Sequence, residues 1–252
     1  MKVVILAGGR GTRLSEETIS KPKPLVEAGG KPLVWHIMQN YARFGFTEFI
    51  LLVGYKGDML RDYFANFWRN QSDVTFDLAS PNLNIHKVRS LPWQVSIIET
   101  GNDTSTGSRI SKIKNLIDSD FMLTYGDGIS DVDINQLLKA HKDSDSLVTL
   151  TAVQPPARFG ALNLENNTVR NFEEKPSGEG SWVNGGFFVM CKEVFDYMSE
   201  KDCSLESDVL PIIAANGELS AYKHHGFWQP VDTVRDLFRL ETAIVSENLP
   251  WL

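Results

Sequence analysis

The stretch Val3-Val4-Ile5-Leu6-Ala7-Gly8-Gly9-Arg10-Gly11-Thr12-Arg13-Leu14 dominates the chain, and Lys21-Pro22-Lys23-Pro24-Leu25 follows it after a short spacer. The apolar, β-branched beginning of the first stretch predicts a buried strand, and the rest predicts a loop rich in glycine and arginine. Glycines let backbone N–H groups approach phosphate oxygens closely, while Arg13 and Lys23 supply positive charge. We therefore predict a strand that ends in a polyphosphate-binding loop.

This loop matches neither of two commoner phosphate-binding motifs. A P-loop requires Gly-Lys-Ser/Thr at a fixed spacing after a first glycine, whereas Gly11 is followed by Thr12-Arg13. The dinucleotide-binding fingerprint requires a glycine at the position of Leu14. A solvent-exposed glycine-rich turn would leave the two lysines spaced by prolines unexplained. The sequence therefore favours a phosphate loop of a different kind.

The composition bounds the class of protein. With 252 residues, 42% of them hydrophobic and 23% charged, the chain predicts a single α/β domain that spans residues 1–252. Its formal charge of −7 argues against nucleic acid as a partner, so an anionic ligand must be met by local cations. Cys191 and Cys203 have no close Cys or His neighbour in the sequence, so neither a disulfide framework nor a structural metal is expected.

Two further observations concern location. The apolar stretch at the N-terminus is shorter than a signal peptide requires, and no apolar run approaches the length that crosses a bilayer. We expect a cytoplasmic protein without a membrane partner.

Strand-like apolar runs alternate with helical patterns along the chain, as they do in right-handed βαβ units. We therefore predict an α/β fold in which helices cover both faces of a mostly parallel central sheet. Between about residues 71 and 100, short extended pieces broken by Pro81 and Pro92 predict a small, irregular β insertion. This insertion is our candidate for an interface or an active-site lid. Residues 233–245 predict a last helix whose apolar face packs on the body of the protein or on another subunit.

Several segments carry a resemblance to a known family. They are Leu6-Ala7-Gly8-Gly9-Arg10-Gly11-Thr12-Arg13-Leu14 with Lys21-Pro22-Lys23-Pro24, and then Tyr125-Gly126-Asp127-Gly128, Arg158-Phe159-Gly160-Ala161-Leu162, Glu173-Glu174-Lys175-Pro176, Asn184-Gly185-Gly186-Phe187-Phe188 and Phe227-Trp228-Gln229-Pro230-Val231-Asp232-Thr233. The first resembles the signature of sugar-1-phosphate nucleotidyltransferases, and the later ones resemble the glucose-1-phosphate cytidylyltransferase branch. The resemblance implies a Rossmann-like nucleotidyltransferase fold and a homo-oligomeric enzyme that makes CDP-glucose and pyrophosphate from CTP and glucose 1-phosphate.

Two aspartates are the predicted metal ligands. In an open parallel sheet, ligands bind beyond the carboxyl ends of the strands, and Gly126-Asp127-Gly128 follows one predicted strand. A carboxylate at such an edge suits Mg²⁺, which binds through one or two carboxylates together with substrate phosphates. The resemblance implies Asp232 as the second carboxylate.

Asp131 and Asp133 offer a competing interpretation, since an Asp-x-Asp motif is typical of metal-dependent nucleotide-sugar glycosyltransferases. Both residues directly precede a predicted helix, where acidic side chains cap the N-terminus and suit the helix dipole. We therefore favour a capping role for them.

The resemblance also implies which residues hold the phosphates and the sugar. The nucleophile, the phosphate of the sugar 1-phosphate, is already an anion, so the reaction requires cations and positioning rather than a general base. Arg13 is expected to stabilise the leaving phosphates, Lys23 the α-phosphate and Lys175 the sugar phosphate. The expected nucleotide-binding residues are Leu6, Ala7, Gly8, Gly9, Arg10, Gly11, Thr12, Arg13, Lys23, Thr104, Thr106, Arg109 and Gly126. The expected sugar-phosphate-binding residues are Gly128, Glu174, Lys175, Asn184 and Gly185.

Base selection is expected from the loop Thr104-Ser105-Thr106-Gly107-Ser108-Arg109. Arg109 can donate to cytosine O2, and a backbone carbonyl can accept from cytosine N4. The branch pattern here is Thr-Gly-Gly-Arg-Leu, so Ser108 and Ile110 depart from it. The alternatives keep the chemistry with another base or sugar phosphate. More distant ones are a catalytically silent sensor of nucleotides or sugar phosphates, and a glycosyltransferase that uses Asp131 and Asp133.

Overall fold

The computed structural model describes residues 1–11, 14–80, 82–87, 90–155, 161–166, 168–173, 181–199, 201–246 and 249. Within these ranges, no helix combines the length and the apolarity that a membrane span requires. The strands are β1 (Val3–Ala7), β2 (Glu27–Ala28), β3 (Lys31–Pro32), β4 (Glu48–Val53), β5 (Asp73–Asp77), β6 (Asn82–Lys87), β7 (Gln94–Glu99), β8 (Phe121–Tyr125), β9 (Gly128–Ser130), β10 (Val148–Val153), β11 (Ala161–Glu165), β12 (Thr168–Glu173), β13 (Val183–Met190), β14 (Leu219–His224) and β15 (Trp228–Pro230). The α-helices are α1 (Ser15–Thr18), α2 (Leu33–Ala42), α3 (Gly57–Ala65), α4 (Phe67–Gln71), α5 (Thr106–Ser111), α6 (Ile134–Ser144), α7 (Leu210–Ala215) and α8 (Val234–Val245).

The described part of the chain forms a central sheet of seven strands in the order β14-β10-β13-β8-β1-β4-β7. β1 pairs in parallel with β4 and β8, β4 pairs in parallel with β7, and β10 pairs in parallel with β14. β13 runs antiparallel to both of its neighbours, β8 and β10. The predicted α/β fold with a mostly parallel sheet is therefore confirmed.

Alternate residues of the central strands face two separate apolar cores. In β1, Val3 and Ile5 pack into one core, and Val4 packs into the other. Helices α2, α3, α6 and α8 contribute side chains to the first core, whereas α5 and α7 contribute to the second. The central strands β1, β4 and β8 are almost entirely apolar because both of their faces are covered.

Residues 71–100 contribute two different structures. β5 and β6 pair with each other in a separate antiparallel sheet, and most of their side chains are exposed. β7 instead joins the central sheet as the edge strand beside β4. Val95 and Ile97 of β7 pack against the first core and Ile98 packs against the second, while Gln94, Ser96 and Glu99 are exposed. The insertion is therefore limited to β5 and β6, and β7 lies outside it. The sequence did not separate them, because the half-buried pattern of an edge strand resembles that of an isolated hairpin.

The strand directions place several loops at one edge of the sheet. The carboxyl ends of β1, β4, β7 and β8 meet there, because these four strands are parallel neighbours. The short strand β9 follows β8 almost directly and pairs with β15, which leads into α8. Thr233 and Asp236 begin α8 with a capping box, in which each side chain accepts from the backbone of the other. α8 then packs against β2 and β15 of the same chain.

Candidate active site

A cavity of about 420 Å³ opens at the carboxyl edge of the central sheet. It lies where the loops after β1 and β8 meet the loop between β7 and α5. Its described lining contains most of the residues expected to bind the nucleotide and both predicted metal ligands. The lining residues are Leu6, Ala7, Gly8, Gly9, Gly11, Lys23, Pro24, Thr104, Ser105, Thr106, Arg109, Tyr125, Gly126, Asp127 and Asp232.

Lys23 bridges the two predicted metal ligands. Its Nζ donates to Asp127 Oδ2 and to Asp232 Oδ1, in both cases at 2.8 Å. The Lys23 side chain is only 10% exposed, whereas those of Asp127 and Asp232 are 38% and 32% exposed. Burial acts to lower the pKa of Lys23, but the charges and hydrogen bonds of the two carboxylates outweigh it and raise this pKa above its ordinary value. Lys23 is therefore a fixed cation on which two carboxylates converge.

The pairing of β9 with β15 explains why the two aspartates meet. Gly128 pairs with Pro230, and the backbone N–H of Val231 donates to the carbonyl oxygen of Asp127 at 3.0 Å. This ladder continues directly into Asp232. Two segments that are far apart in the sequence thereby present their carboxylates side by side.

The glycine loop after β1 lies against Lys23. Gly11 has a left-handed backbone with φ of 61°, and its carbonyl oxygen accepts from Thr18 Oγ1 at 3.0 Å. A Cβ atom at Gly11 would lie 2.9 Å from Thr18 Cγ2 and 3.2 Å from Lys23 Cβ. Both the backbone conformation and the close approach therefore require glycine at this position.

Arg109 is a second cation on the cavity wall, and it is almost fully buried. Its Nη1 donates to Thr100 Oγ1 at 2.5 Å and to the carbonyl of Gly101 at 2.7 Å. Its Nη2 donates to the carbonyls of Gly8 and Asn102, in both cases at 3.2 Å. Burial lowers the pKa of Arg109, and nearby carboxylates partly offset this effect. Arg109 thus ties the loop after β1 to the loop after β7.

These bonds bear on the contact expected between Arg109 and a cytosine base. Both terminal nitrogens of the guanidinium already donate to oxygens of the protein. A Cβ atom at Gly8 would lie 2.2 Å from Arg109 Nη1, so the glycine admits the guanidinium as well as any ligand. In this structure, Arg109 shapes the wall of the cavity.

The expected base loop is held by residues 202–206, which we call the support segment. Asp202 accepts from the Ser105 backbone at 2.9 Å and from Ser105 Oγ at 2.5 Å, and these hydrogen bonds lower the pKa of Asp202. Ser108 Oγ accepts from the Cys203 N–H at 2.8 Å, while the Ser108 N–H donates to the Cys203 carbonyl at 3.1 Å. Part of this loop is helical, because α5 begins at Thr106. Ser108 lies within α5 without a positive φ, so the backbone accommodates serine in place of glycine.

Glu206 of the support segment joins two residues of the cavity lining, Thr106 and Tyr125. It accepts from Thr106 Oγ1 and from the Tyr125 hydroxyl, in both cases at 2.6 Å. Tyr125 Oη in turn accepts from Asn184 Nδ2 at 3.3 Å. Burial acts to raise the pKa of Glu206, but the hydrogen bonds outweigh it and lower this pKa. The sequence predicts no role for Glu206 or for Tyr125, although Tyr125 begins the quoted segment Tyr125-Gly126-Asp127-Gly128.

The remaining predicted site residues are not among the described lining of the cavity. Thr12, Arg13, Glu174 and Lys175 lie outside the described residues. Arg10 forms an exposed ion pair with Asp103 at 2.7 Å. Gly128 belongs to β9, and Asn184 and Gly185 belong to β13.

Asp131 and Asp133 contact protein groups away from the cavity. Asp133 caps α6, where its side chain accepts from the Gln136 N–H at 3.0 Å, so the predicted capping role is confirmed for this residue. Asp131 Oδ1 instead lies 2.9 Å from His224 Nε2. Neither aspartate belongs to the described cavity lining. The placement gives no support to a glycosyltransferase-type Asp-x-Asp site.

The family model described as nucleotidyl transferase matches residues 2–247, and the chain belongs to this family of enzymes. It is 47% identical over 253 residues to the glucose-1-phosphate cytidylyltransferase of Salmonella typhi, which covers 100% of this chain and 98% of that protein. It is 40% identical over 242 residues to the probable glucose-1-phosphate cytidylyltransferase of Bacillus subtilis, with 95% and 94% covered. The crystal structure of HddC from Yersinia pseudotuberculosis shares the fold, with a TM-score of 0.71 at 24% identity over 96% of this chain and 99% of that one. The resemblance seen in the motifs is thereby confirmed.

Proposed function

We propose that this chain transfers a cytidylyl group from CTP to glucose 1-phosphate, which yields CDP-glucose and pyrophosphate. The observation that carries the proposal is the convergence of Asp127 and Asp232 on Lys23, inside a cavity lined by the glycine loop. The relatives from Salmonella typhi and Bacillus subtilis bear the name of this activity and match nearly the whole chain, which supports the choice of substrates. The proposal includes a homo-oligomer, as the resemblance implies, and a cytoplasmic location, as the sequence predicts.

The reaction requires two anions to meet. An oxygen of the sugar phosphate forms a bond to the α-phosphorus of CTP while the bond to the pyrophosphate oxygen breaks, and no proton needs to move. The enzyme must therefore hold the reactants in line and offset their repulsion. Lys23, whose ammonium already lies in the cavity, donates to the α-phosphate and the incoming phosphate. From the motifs, we assign Arg13 to the leaving phosphates and Lys175 to the sugar phosphate.

Asp127 and Asp232 fit a magnesium ion. Each places an oxygen 2.8 Å from the same ammonium nitrogen, so the pair already surrounds one cationic position at the cavity. Carboxylate oxygens are the ligands that Mg²⁺ prefers, and both side chains are partly exposed to a substrate whose phosphates can complete the shell. When bound there, the ion would neutralise charge on the phosphate oxygens.

The competing functions are less well supported. A glycosyltransferase would use Asp131 and Asp133, which contact His224 and the N-terminus of α6 instead. A catalytically silent sensor would not need the cluster of Lys23, Asp127 and Asp232. The remaining alternative is the same nucleotidyl transfer with another base or sugar phosphate, and the assay below compares the bases directly.

The test measures pyrophosphate release and product mass with glucose 1-phosphate and Mg²⁺, in parallel with CTP, UTP, dTTP and ATP. We expect CTP to be the preferred nucleotide and the product to have the mass of CDP-glucose. Asp127→Asn should lower kcat about 10²–10³-fold, because it removes a metal ligand and a partner of Lys23. Asp133→Asn is the matched control, since asparagine is an equally good helix cap and this carboxylate lies outside the cavity lining.

The outcomes separate the alternatives. If none of the four nucleotides is turned over, the proposed function is refuted. If UTP, dTTP or ATP is turned over and CTP is not, the proposed preference for cytosine is refuted. A normal rate for Asp127→Asn would refute the metal assignment. In a parallel reaction with a nucleotide sugar as the donor, release of a nucleoside diphosphate that is lost in Asp133→Asn would favour the glycosyltransferase.

A further inference from the structure

Three potential metal ligands converge at the edge of the central sheet opposite to the cavity. Asp120 directly precedes β8, His141 belongs to α6 and Cys191 directly follows β13. One ligand atom from each of these residues lies within 4.8 Å of the others. Because Asp127 follows the other end of β8, the length of this strand, roughly 15 Å, separates the cluster from the candidate active site.

Hydrogen bonds orient His141 for metal binding. Ser220 Oγ donates to Ser144 Oγ at 3.1 Å, and Ser144 Oγ donates to the His141 carbonyl at 2.9 Å. Thr149 Oγ1 lies 2.6 Å from Ser220 Oγ, so this hydroxyl belongs to the same network. Thr149 Oγ1 also lies 2.9 Å from His141 Nδ1, and this hydrogen bond holds the imidazole with Nε2 beside Cys191 Sγ. Metal-binding histidines are commonly held in this way, with one nitrogen bonded to a neighbouring group and the other facing the ion.

The distance between the nitrogen and the sulfur matches a tetrahedral metal site. His141 Nε2 lies 3.5 Å from Cys191 Sγ. Zinc binds sulfur at about 2.3 Å and histidine nitrogen at about 2.0–2.1 Å, and at a tetrahedral angle these bonds separate the two atoms by about 3.5 Å. The pair is therefore already spaced as two zinc ligands are.

The surroundings favour a cation. A cavity of about 390 Å³ opens at the cluster, and carboxylates of Asp145, Glu193 and Glu218 line it together with Asp120, against the single lysine Lys142 in its described lining. A divalent ion can enter from this side, and a water molecule can complete its coordination shell.

We propose that Asp120, His141 and Cys191 bind one divalent transition-metal ion of the zinc type, at a site separate from Asp127 and Asp232. The donor set includes a thiol and an imidazole, and these ligands bind Zn²⁺ and Co²⁺ in preference to Mg²⁺. The ion joins β8, α6 and β13, so it stabilises the fold and takes no part in nucleotidyl transfer. The expectation from the sequence that no structural metal is present rested on ligand spacing, and here the ligands come from three distant elements.

The experiment uses the tag-free full chain, stripped of metal with a chelator and kept in excess Mg²⁺, which occupies sites built from oxygen ligands alone. Titration with Co²⁺ should give one bound equivalent with the near-ultraviolet charge-transfer absorption of a cobalt–thiolate bond, and Zn²⁺ should displace it. Zn²⁺ should also raise the melting temperature. This measurement on the unaltered protein needs no variant to fold.

Variants then identify the ligands. Cys191→Ser should abolish the thiolate absorption, and both Cys191→Ser and His141→Gln should weaken Zn²⁺ binding by about tenfold or more. Cys203→Ser, which alters the other cysteine of the chain, should bind as the unaltered protein does. Absence of stoichiometric Co²⁺ binding would overturn the proposal and indicate only an S–H···N hydrogen bond. The proposal would also be overturned if Cys191→Ser and His141→Gln bound Zn²⁺ as tightly as the unaltered protein does. The readouts are independent of nucleotidyl transfer, so an inactive protein can still confirm the site.

Discussion

Lys23 and Arg109 line the same cavity, but their partners differ in kind. Lys23 donates to two carboxylates, those of Asp127 and Asp232. Arg109 donates to one hydroxyl and to backbone carbonyls from the loops after β1 and β7. A compact ammonium can be shared by two carboxylates and then by phosphates, whereas a planar fork of donors can fasten several loops at once. We infer that Lys23 acts on the substrate phosphates, whereas Arg109 holds the loops that form the wall of the site.

Lys23→Met tests the first part of this comparison and should have the largest effect. Methionine keeps most of the side-chain volume but removes the ammonium, so Asp127 and Asp232 lose their shared cation. We expect kcat/KM for CTP and glucose 1-phosphate to fall about 10²–10³-fold, which corresponds to about 3–4 kcal/mol of transition-state stabilisation. Steady-state pyrophosphate release measures this change.

A matched control lies on the same loop. Lys21→Met removes a more exposed ammonium outside the described cavity lining and should leave kcat/KM nearly unchanged. Mg²⁺ without nucleotide should raise the melting temperature of Lys23→Met more than that of the unaltered protein, because the ion replaces the missing cation. Normal kcat/KM in Lys23→Met would assign the ion pair to stability alone.

Arg109→Lys tests the second part and should act mainly on stability. Lysine keeps the positive charge but presents its donors from a single nitrogen, so it cannot reach Gly8, Thr100, Gly101 and Asn102 together. Because buried acceptors lose their donors, we expect the free energy of unfolding to fall by about 2–3 kcal/mol. The melting temperature should fall by roughly 5–10 °C.

Kinetics of the same variant sharpen the contrast. If Arg109 shapes the cavity, KM for CTP should rise while saturating CTP restores most of kcat. A variant with an unchanged melting temperature and a large loss of kcat would show instead that the guanidinium acts on the substrate.

The difference between these two cations also marks what sequence reasoning can predict. The strands were predictable because both faces of the sheet are buried, so β1, β4 and β8 read as apolar runs. The position of Asp127 at the cavity was predictable, because this residue lies between two glycines and directly after such an apolar run. Asp232 required the family resemblance, since β9 and β15 are three residues long and carry no periodic pattern.

Contacts between distant segments account for what was missed. No spacing in the sequence indicates that residues 202–206 hold α5, or that Glu206 joins Thr106 to Tyr125. The composition of a loop likewise cannot tell whether an arginine such as Arg109 faces a ligand or backbone carbonyls. These arrangements arise only when the chain is folded, because each depends on elements that are far apart in the sequence.

Ser108→Gly gives the smallest predicted effect and tests whether this chain's departure from the cytidylyltransferase pattern disturbs the cavity. In the structure, Ser108 Oγ accepts from the Cys203 N–H, and the backbone shows no positive φ that would demand glycine. Removing the hydroxyl should lower the free energy of unfolding by about 1 kcal/mol, and glycine in a helix should lower it by about 0.5–1 kcal/mol more. Ser108→Ala is the matched control that loses the hydroxyl alone. Both variants should keep the ratio of kcat/KM for CTP to that for UTP, and a rise of this ratio in Ser108→Gly alone would show that serine does displace the base loop.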